Sequence, residues 1–258
     1  MDASLDSLRH DGFVIVPDAV PQELLASLDL EINAALARAA EGRDQALLAD
    51  CVFERDLPAA KRGERVVPAE CGDVFILGNL AEHVPLVLQV LLLAGVQHLA
   101  RTLLETDAAV PHFVNLTQKS ARTGSGISWH RDYPNRYICP VEPVMIRLML
   151  CLDGMGEDTG ATQFIRGSHH SMPDGSLPDE RSGAVPAVCG PGALVAIHPL
   201  VLHGGAPNAS AMRRRNIVMQ WGPAGAALQP GPRELITGLL PSSLETLWRK
   251  QHTERVAS

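Results

Sequence analysis

The chain has 258 residues, of which 46% are hydrophobic and 20% are charged, and its formal net charge is −7. This composition is typical of an ordered globular protein with enough chain to bury a core. The negative charge lacks the field that holds a phosphate backbone, so we expect no nucleic-acid partner.

The cysteines and the N-terminal residues indicate the cellular compartment. The 5 cysteines are odd in number and include no C-x-x-C pair, which favours reduced thiols over a disulfide framework or a zinc ribbon. The first residues, "MDASLDSLRHDGF", are acidic where an export signal is basic. The apolar stretch "VPLVLQVLLLAGV" is too short to span a bilayer. We therefore expect a cytoplasmic protein with no membrane partner.

Helical signals dominate the first 110 residues. A short strand is predicted within residues 11–20, and an amphipathic helix at 21–42 begins at a proline and ends at a glycine. A second helix is predicted over about 82–105, and its apolar residues fill more than one face, which indicates packing against a sheet. Between the two helices, "VFIL" at 74–77 predicts a strand.

From residue 110 onward, short β-rich runs replace the helical period, and turns that contain glycine and proline separate them. The runs lie at 112–119, 126–130, 144–152, 161–165, 193–197 and 215–221. This rhythm is typical of an antiparallel jelly roll. We predict a mainly β fold with flanking helices, a double-stranded β-helix of the cupin-like barrel type.

We expect a single domain over residues 1–258. Its parts would be a helical N-terminal part at about 1–110, a jelly-roll core at about 111–222 and a C-terminal tail at 223–258. The polar segment 171–186 is rich in proline and glycine, and it is expected to be a mobile loop that covers an opening of the barrel.

Three side chains predict a metal site. In "GISWHRD", His130 and Asp132 are two residues apart, so on a strand they would project from the same face. His203 lies at a predicted strand mouth before Gly-Gly, whereas most other histidines lie near the termini or on the apolar helix. Two histidines and one carboxylate with open coordination positions form the facial triad of non-haem Fe(II). We therefore hypothesise an iron site at His130, Asp132 and His203.

Three consecutive arginines follow this segment, and such a run is usually a solvated charge cluster. Strand alternation separates them, since Arg214, Asn216 and Val218 share one face, which suits a polar barrel interior. The planar guanidinium of Arg214 is the group that holds a carboxylate by two parallel hydrogen bonds. Arg213 and Arg215 are predicted to be surface or flanking charges.

The motifs together resemble a known family. "WHRDY", "GATQFIRGSHH" and "HGGAPNAS", with Arg214 eleven residues after His203, resemble the phytanoyl-CoA dioxygenase family of Fe(II)/2-oxoglutarate-dependent oxygenases. The opening "LRHDGFVIVPDAVPQELLASL" is similar too, so the resemblance covers about residues 5 to 222. The nearest branch contains ectoine hydroxylase and free-amino-acid hydroxylases. Arg166 stands where the family usually has proline, and Gln163 replaces a more usual apolar residue.

The resemblance implies a cofactor set and a reaction. Fe(II) would be bound by His130, Asp132 and His203, and 2-oxoglutarate would pair its distal carboxylate with Arg214. With O2, the enzyme would hydroxylate an unactivated C–H bond and release succinate and CO2. Asp132 favours hydroxylation over halogenation, because related halogenases carry a small residue at this position. Desaturation, epoxidation and ring formation stay open as outcomes.

Further contacts are predicted from spacing and charge. Asn115, Lys119 and Ser210 are candidates for cosubstrate binding, with an ordinary strand edge as the alternative for the first two. The candidate substrate contacts are Arg147, Trp129, Tyr133 and Arg166, with core packing as the simpler alternative for Trp129 and Tyr133. Arg147 is a lone charge in an apolar strand and must reach solvent or pair with an anion. The expected substrate is a small polar molecule with a carboxylate or other anion, such as a free amino acid or a biosynthetic intermediate.

Two other functions fit part of the pattern. A metal-dependent hydrolase or lyase on a cupin-like barrel would also use two histidines and a carboxylate, but it leaves Arg214 unexplained. A non-catalytic binding protein on the same fold would not need the complete set of ligands. The oxygenase explains the largest number of motif elements.

Overall fold

The computed structural model describes residues 3–58, 71–135, 137–171 and 183–257, and side chains as far as residue 253. Helices α1 to α7 of the described chain span Ala3–Asp11, Gln22–Glu41, Gln45–Ala49, Leu80–His83, Val87–Leu92, Ala94–Leu104 and Pro241–Ala257. Short 3-10 helices lie at Glu54–Asp56 and Ser168–His170. No helix in this part of the chain combines the length and the apolar character needed to cross a membrane.

Strands β1 to β11 form two antiparallel sheets. They span Phe13–Val16, Cys51–Phe53, Val74–Leu77, Ala109–Lys119, Ile127–His130, Ile146–Cys151, Thr162–Ile165, Ala184–Pro186, Leu194–Ile197, His203–Gly205 and Arg214–Pro223. The large sheet has the order β1-β9-β6-β11-β4-β3-β2, and the small sheet has the order β5-β10-β7-β8. The predicted mainly β jelly-roll fold is confirmed.

Strand β11 shows how the sequence builds the large sheet. It pairs with β4 from Arg214 opposite Lys119 to Pro223 opposite Ala109, and with β6 on its other side. Its odd-numbered apolar residues, such as Ile217 and Trp221, are buried in the core beneath the helices. Its even-numbered residues face the small sheet, so the predicted alternation holds.

Helix α2 agrees with the predicted helix at 21–42. It ends at Gly42, which adopts φ 69° and donates its N–H to the carbonyl of Ala39, a left-handed conformation that glycine adopts without strain. The single helix predicted over about 82–105 is wrong, because the chain forms α4, α5 and α6 instead. Val84 precedes Pro85 and has the non-helical angles φ −135° and ψ 72°, as the residue before a proline usually does.

Two apolar layers hold the fold together. The larger layer lies between the large sheet and the helices, and the smaller layer lies between the two sheets and includes Phe13, Met149 and Phe164. Most of the loop predicted at 171–186 lies outside the described residues, and its end forms β8. The small sheet and the inner face of the large sheet therefore enclose the region where the predicted site residues meet.

Candidate metal centre

A cavity of about 500 Å³ opens between the two sheets. Its walls come from strands β3, β4, β6, β9 and β11 of the large sheet and from β5, β7 and β10 of the small sheet. His130, Asp132 and His203 lie at one place on its wall, and Arg147 and Arg214 line it as well. The three predicted metal ligands, the predicted cosubstrate arginine and one predicted substrate contact therefore share one cavity.

Strand pairing brings the three candidate ligands together. His130 at the end of β5 lies directly opposite His203 at the start of β10, and Asp132 follows two residues after β5 ends. One ligand atom from each side chain lies within 4.8 Å of the others. The Nε2 atoms of His130 and His203 are 3.5 Å and 3.8 Å from oxygens of Asp132. This spacing can place all three ligand atoms around one metal ion.

Hydrogen bonds on the far side of each ring orient the two imidazoles. Nδ1 of His130 lies 2.8 Å from the carbonyl oxygen of Ser128, and Nδ1 of His203 lies 3.1 Å from that of Val201. Since a carbonyl can only accept, each Nδ1 carries the proton and each Nε2 keeps a lone pair. Metal-binding histidines are usually oriented in this way. Burial also lowers the pKa of His203 to about 4, which keeps that ring neutral.

Asp132 is buried, with 1% of its surface exposed, and neither carboxylate oxygen accepts a hydrogen bond from a described residue. Nη1 of Arg147 lies 2.8 Å from Oδ1 as an ion pair. Burial alone would raise the pKa of Asp132, but the charges of Arg147, His203 and His130 hold it below its usual range. An ionised carboxylate beside two imidazoles that present Nε2 is chemically suited to a divalent cation.

Arg214 lies along the same wall, and 1% of its surface is exposed. Its Nη1 donates to the carbonyl of Gly160 at 3.0 Å and lies 3.4 Å from the sulfur of Met155, while Nε has no partner among the described residues. Burial lowers the pKa of Arg214 to about 10. A buried guanidinium with so few partners is suited to an incoming carboxylate.

Of the predicted cosubstrate contacts, Asn115 lines the cavity, and its Oδ1 is buried without a hydrogen-bond partner in the described chain. Lys119 is fully buried at the Arg214 end, but it is not part of the cavity wall. Its Nζ donates to the carbonyls of Gly160 and Ala206. Lys119 therefore fixes the backbone that Arg214 also contacts.

Ser210, a predicted cosubstrate contact, does not line the cavity. Its hydroxyl donates to Oδ1 of Asn208 and accepts from the backbone N–H of Met212, both within the turn before β11. Asn208 in turn donates to the carbonyls of Lys119 and Met212. The segment is a hydrogen-bonded reversal, which is the usual role of Asn-x-Ser sequences in turns.

Trp129, Tyr133 and Arg166, the other predicted substrate contacts, do not line the cavity. Trp129 lies on the face of β5 opposite His130 and packs over Gly204. The Tyr133 hydroxyl donates to the carbonyl of Val141 at 2.5 Å, outside the cavity. Arg166 forms an ion pair with Asp11 at the exterior. Trp129 points away from the cavity because it alternates with His130 along the strand. Arg166 is held at the exterior by a partner that is distant in sequence.

Arg215 is the one flanking arginine that the sequence misplaced, because it is buried and not a surface charge. Its side chain contacts Asp153, Asp29 and Asn33 through bonds of 2.6 to 3.1 Å. Two of these partners belong to α2, which covers this face of the large sheet. The alternation that points Arg214 into the cavity points Arg215 under that helix.

Four polar residues of the cavity wall were not predicted as contacts from the sequence: Thr117, Ser128, Thr162 and Asn216. Thr117 lies between Asn115 and Lys119 on the same face of β4, so the two-residue period could have identified it. Asn216 lies on the predicted inner face, and its Nδ2 is 3.1 Å from the sulfur of Met149. Its Oδ1 is buried without a hydrogen-bond partner among the described residues.

Comparisons with known proteins agree with this geometry. The family model for phytanoyl-CoA dioxygenase (PhyH) matches residues 8–216. The dioxygenase cdmD of Talaromyces verruculosus is 30% identical over 118 residues, which is 43% of this chain and 38% of that protein. The chain therefore matches well under half of the length of this curated relative.

Solved structures share the fold. AviO1 from Streptomyces viridochromogenes Tue57 is 24% identical with a TM-score of 0.68, covering 89% of this chain and 97% of that one. EctD from S. alaskensis, solved with 2-oxoglutarate and 5-hydroxyectoine, is 18% identical with a TM-score of 0.71, covering 92% and 86%. As the matched motifs and the model covering residues 8–216 show, this chain belongs to the phytanoyl-CoA dioxygenase family.

Proposed function

We propose that this protein is an Fe(II)- and 2-oxoglutarate-dependent dioxygenase. It hydroxylates an unactivated C–H bond of a small polar molecule, such as an amino acid or a biosynthetic intermediate, and releases succinate and CO2. The observation that carries this proposal is the placement of two buried groups on the wall of one cavity. Asp132 accepts no hydrogen bond from the described residues, and Nε of Arg214 has no partner among them. The first is suited to the metal and the second to the cosubstrate.

One group of described residues would hold the metal, and Arg214 would hold the cosubstrate. His130, Asp132 and His203 would hold the metal, with both imidazoles presenting Nε2 because their Nδ1 protons are bound to carbonyls. Arg214 would pair with the distal carboxylate of 2-oxoglutarate. Iron bound here supplies the oxidising chemistry that uses O2 and 2-oxoglutarate. Met149, Ile197 and Val218 of the apolar layer between the sheets line the cavity as well.

A zinc-type hydrolase is less well supported, because it needs three ligands and a water molecule but no buried arginine beside them. The cost of burying the Arg214 guanidinium is explained when a carboxylate completes its hydrogen bonds. We also propose that residues 1–258 act as one domain, since β1, β2 and β3 from the N-terminal part extend the same sheet as β11.

The first experiment is an anaerobic visible spectrum of the apoprotein, titrated with Fe(II) and then with 2-oxoglutarate. We expect a charge-transfer band that requires both additions. His203→Ala would abolish the band, and Arg214→Ala would raise the 2-oxoglutarate concentration needed for it by about 100-fold, the loss of a charged bidentate pair. Arg213→Gln removes an exterior charge and serves as the matched control, with an unchanged band.

If metal binds to the wild type and no band forms on adding 2-oxoglutarate, the proposed function is wrong and hydrolase assays follow. If the band forms, free amino acids and related acids are screened for their stimulation of succinate release. The product identifies the reaction, since hydroxylation adds one oxygen atom to the substrate. Loss of two hydrogen atoms would indicate desaturation instead.

A further inference from the structure

We propose that Arg147 is the substrate-binding residue that selects the charge of the substrate. The cavity would take a molecule with one anionic group of about carboxylate size, and the Arg147 guanidinium would hold that group beside the metal. This inference rests on the proposed function, because it assigns the remaining part of the same cavity once iron and 2-oxoglutarate are bound.

Arg147 lies in the middle of the large sheet, where a charge is unusual. It belongs to β6, opposite Gln220 of β11 and Ile197 of β9. Its side chain keeps 19% of its surface accessible, and it lines the cavity. Its guanidinium carbon lies 5.3 Å from the centre of the Phe113 ring. The chain therefore holds a cation at the cavity wall, against an aromatic face that fixes its position.

The partners of Arg147 do not satisfy this cation. Nη1 lies 2.8 Å from Asp132, but that carboxylate is also the candidate metal ligand. Nε is buried and has no hydrogen-bond partner within the described chain. A buried charge without full compensation is costly, so folds retain one where a ligand completes it.

With Fe(II) and 2-oxoglutarate bound, the charges of the cavity would leave one positive charge unbalanced. Among the described residues that line the cavity, Asp132 carries the one carboxylate, and Arg147 and Arg214 carry the cationic groups. The two charges of Fe(II) and the charge of Arg214 are balanced by Asp132 and the two carboxylates of 2-oxoglutarate. Arg147 is then left with one positive charge at the cavity wall. An anionic group of the substrate, placed at Arg147, restores neutrality there, whereas an uncharged or cationic group does not.

The competing explanation is that Arg147 only positions Asp132. In that case, replacing Arg147 would weaken metal binding and leave the charge preference for a third ligand unchanged. The two explanations therefore differ in a binding measurement that needs no turnover.

The test uses protein loaded with Mn(II) and saturated with N-oxalylglycine, an unreactive analogue of 2-oxoglutarate. Isothermal titration calorimetry then compares hexanoate with hexanamide, two probes of the same shape that differ in charge. We expect the wild type to bind hexanoate at least about tenfold more tightly, as a charge-assisted hydrogen bond provides. Arg147→Gln would abolish this preference, and Arg147→Lys would keep part of it because the charge remains.

Arg213→Gln, which removes an exterior arginine, is the matched control and should keep the preference of the wild type. The inference is overturned if Arg147→Gln still prefers hexanoate, if the wild type shows no preference, or if hexanoate displaces N-oxalylglycine instead of binding beside it. Circular dichroism shows whether Arg147→Gln folds. If it does not, Arg147→Lys decides, and an unreduced hexanoate preference in that variant would overturn the inference. Failure of the proposed function is separate, since it appears as the absence of the Fe(II) and 2-oxoglutarate band in the wild type.

Discussion

Arg214 and Arg215 are neighbours in β11, and they show the difference between the two faces of the large sheet. Arg215 lies under α2, where Asp153 and Asp29 pair with its guanidinium. Arg214 lies on the cavity face, where Nη1 has one carbonyl and one sulfur nearby and Nε has no partner among the described residues. Both side chains are almost fully buried.

Burial alone therefore does not identify a functional charge. A buried ion whose hydrogen bonds are complete contributes to the structure, and a buried ion whose bonds are incomplete has capacity for a ligand. The same distinction separates Asp132 from Asp153, since Asp153 accepts from the backbone and the side chain of Arg215. The following substitutions test this distinction.

The largest expected effect is on stability, and it comes from the face of the large sheet that α2 covers. Arg215→Met leaves Asp153 without its cation and leaves Asp29 with Arg213 alone, so the free energy of unfolding should fall by about 3 kcal/mol, as when one partner of a buried pair is removed. Urea unfolding of the apoprotein measures this fall. The affinity for 2-oxoglutarate, measured on folded protein, should stay unchanged, and a large loss of that affinity would remove the contrast between the two faces.

On the cavity face, Arg214→Met should do the opposite. The affinity for 2-oxoglutarate should fall by about 100-fold, which corresponds to about 2.7 kcal/mol. The apoprotein should be as stable as the wild type or more stable, because an apolar side chain of similar volume replaces an under-partnered cation. Unfolding and the cosubstrate titration are measured on the same preparation. A fall in stability equal to that of Arg215→Met would show that both arginines are structural.

Lys119→Met tests an intermediate case, because Lys119 is hydrogen-bonded within the fold and also lies opposite Arg214. Its Nζ holds the carbonyls of Gly160 and Ala206, so we expect a loss of about 2 kcal/mol in unfolding free energy. The Kd of 2-oxoglutarate should change by less than about threefold. A larger change in Kd with unchanged stability would restore the cosubstrate contact that the sequence predicted for this lysine.

The smallest effect is expected at Ser210. Ser210→Ala removes two hydrogen bonds from the turn before β11, which should cost about 1 kcal/mol of stability. The affinity for 2-oxoglutarate should not change, since the hydroxyl lies outside the cavity. Thermal unfolding and the cosubstrate titration measure both quantities, and a weaker cosubstrate affinity would contradict this placement.

The sequence predicted the fold and the shared direction of His130 and Asp132 because both depend on short-range periodicity. The two-residue period placed His130 with Asp132 and separated Arg214 from Arg215, and glycine-rich turns marked the strand ends. The direction of the chain after β5 is set by packing, so the side on which Tyr133 lies could not be predicted. The ion pair between Arg166 and Asp11 joins distant parts of the chain and has no local signal.

The opposition of His130 and His203 has a consequence for folding. The two rings face each other only after β5 and β10 have paired, and these strands are separated in sequence by most of the jelly-roll core. Such long-range pairing is among the slower events of folding. The complete three-ligand site therefore belongs to the folded chain, and iron that binds there draws the population toward the native state by mass action.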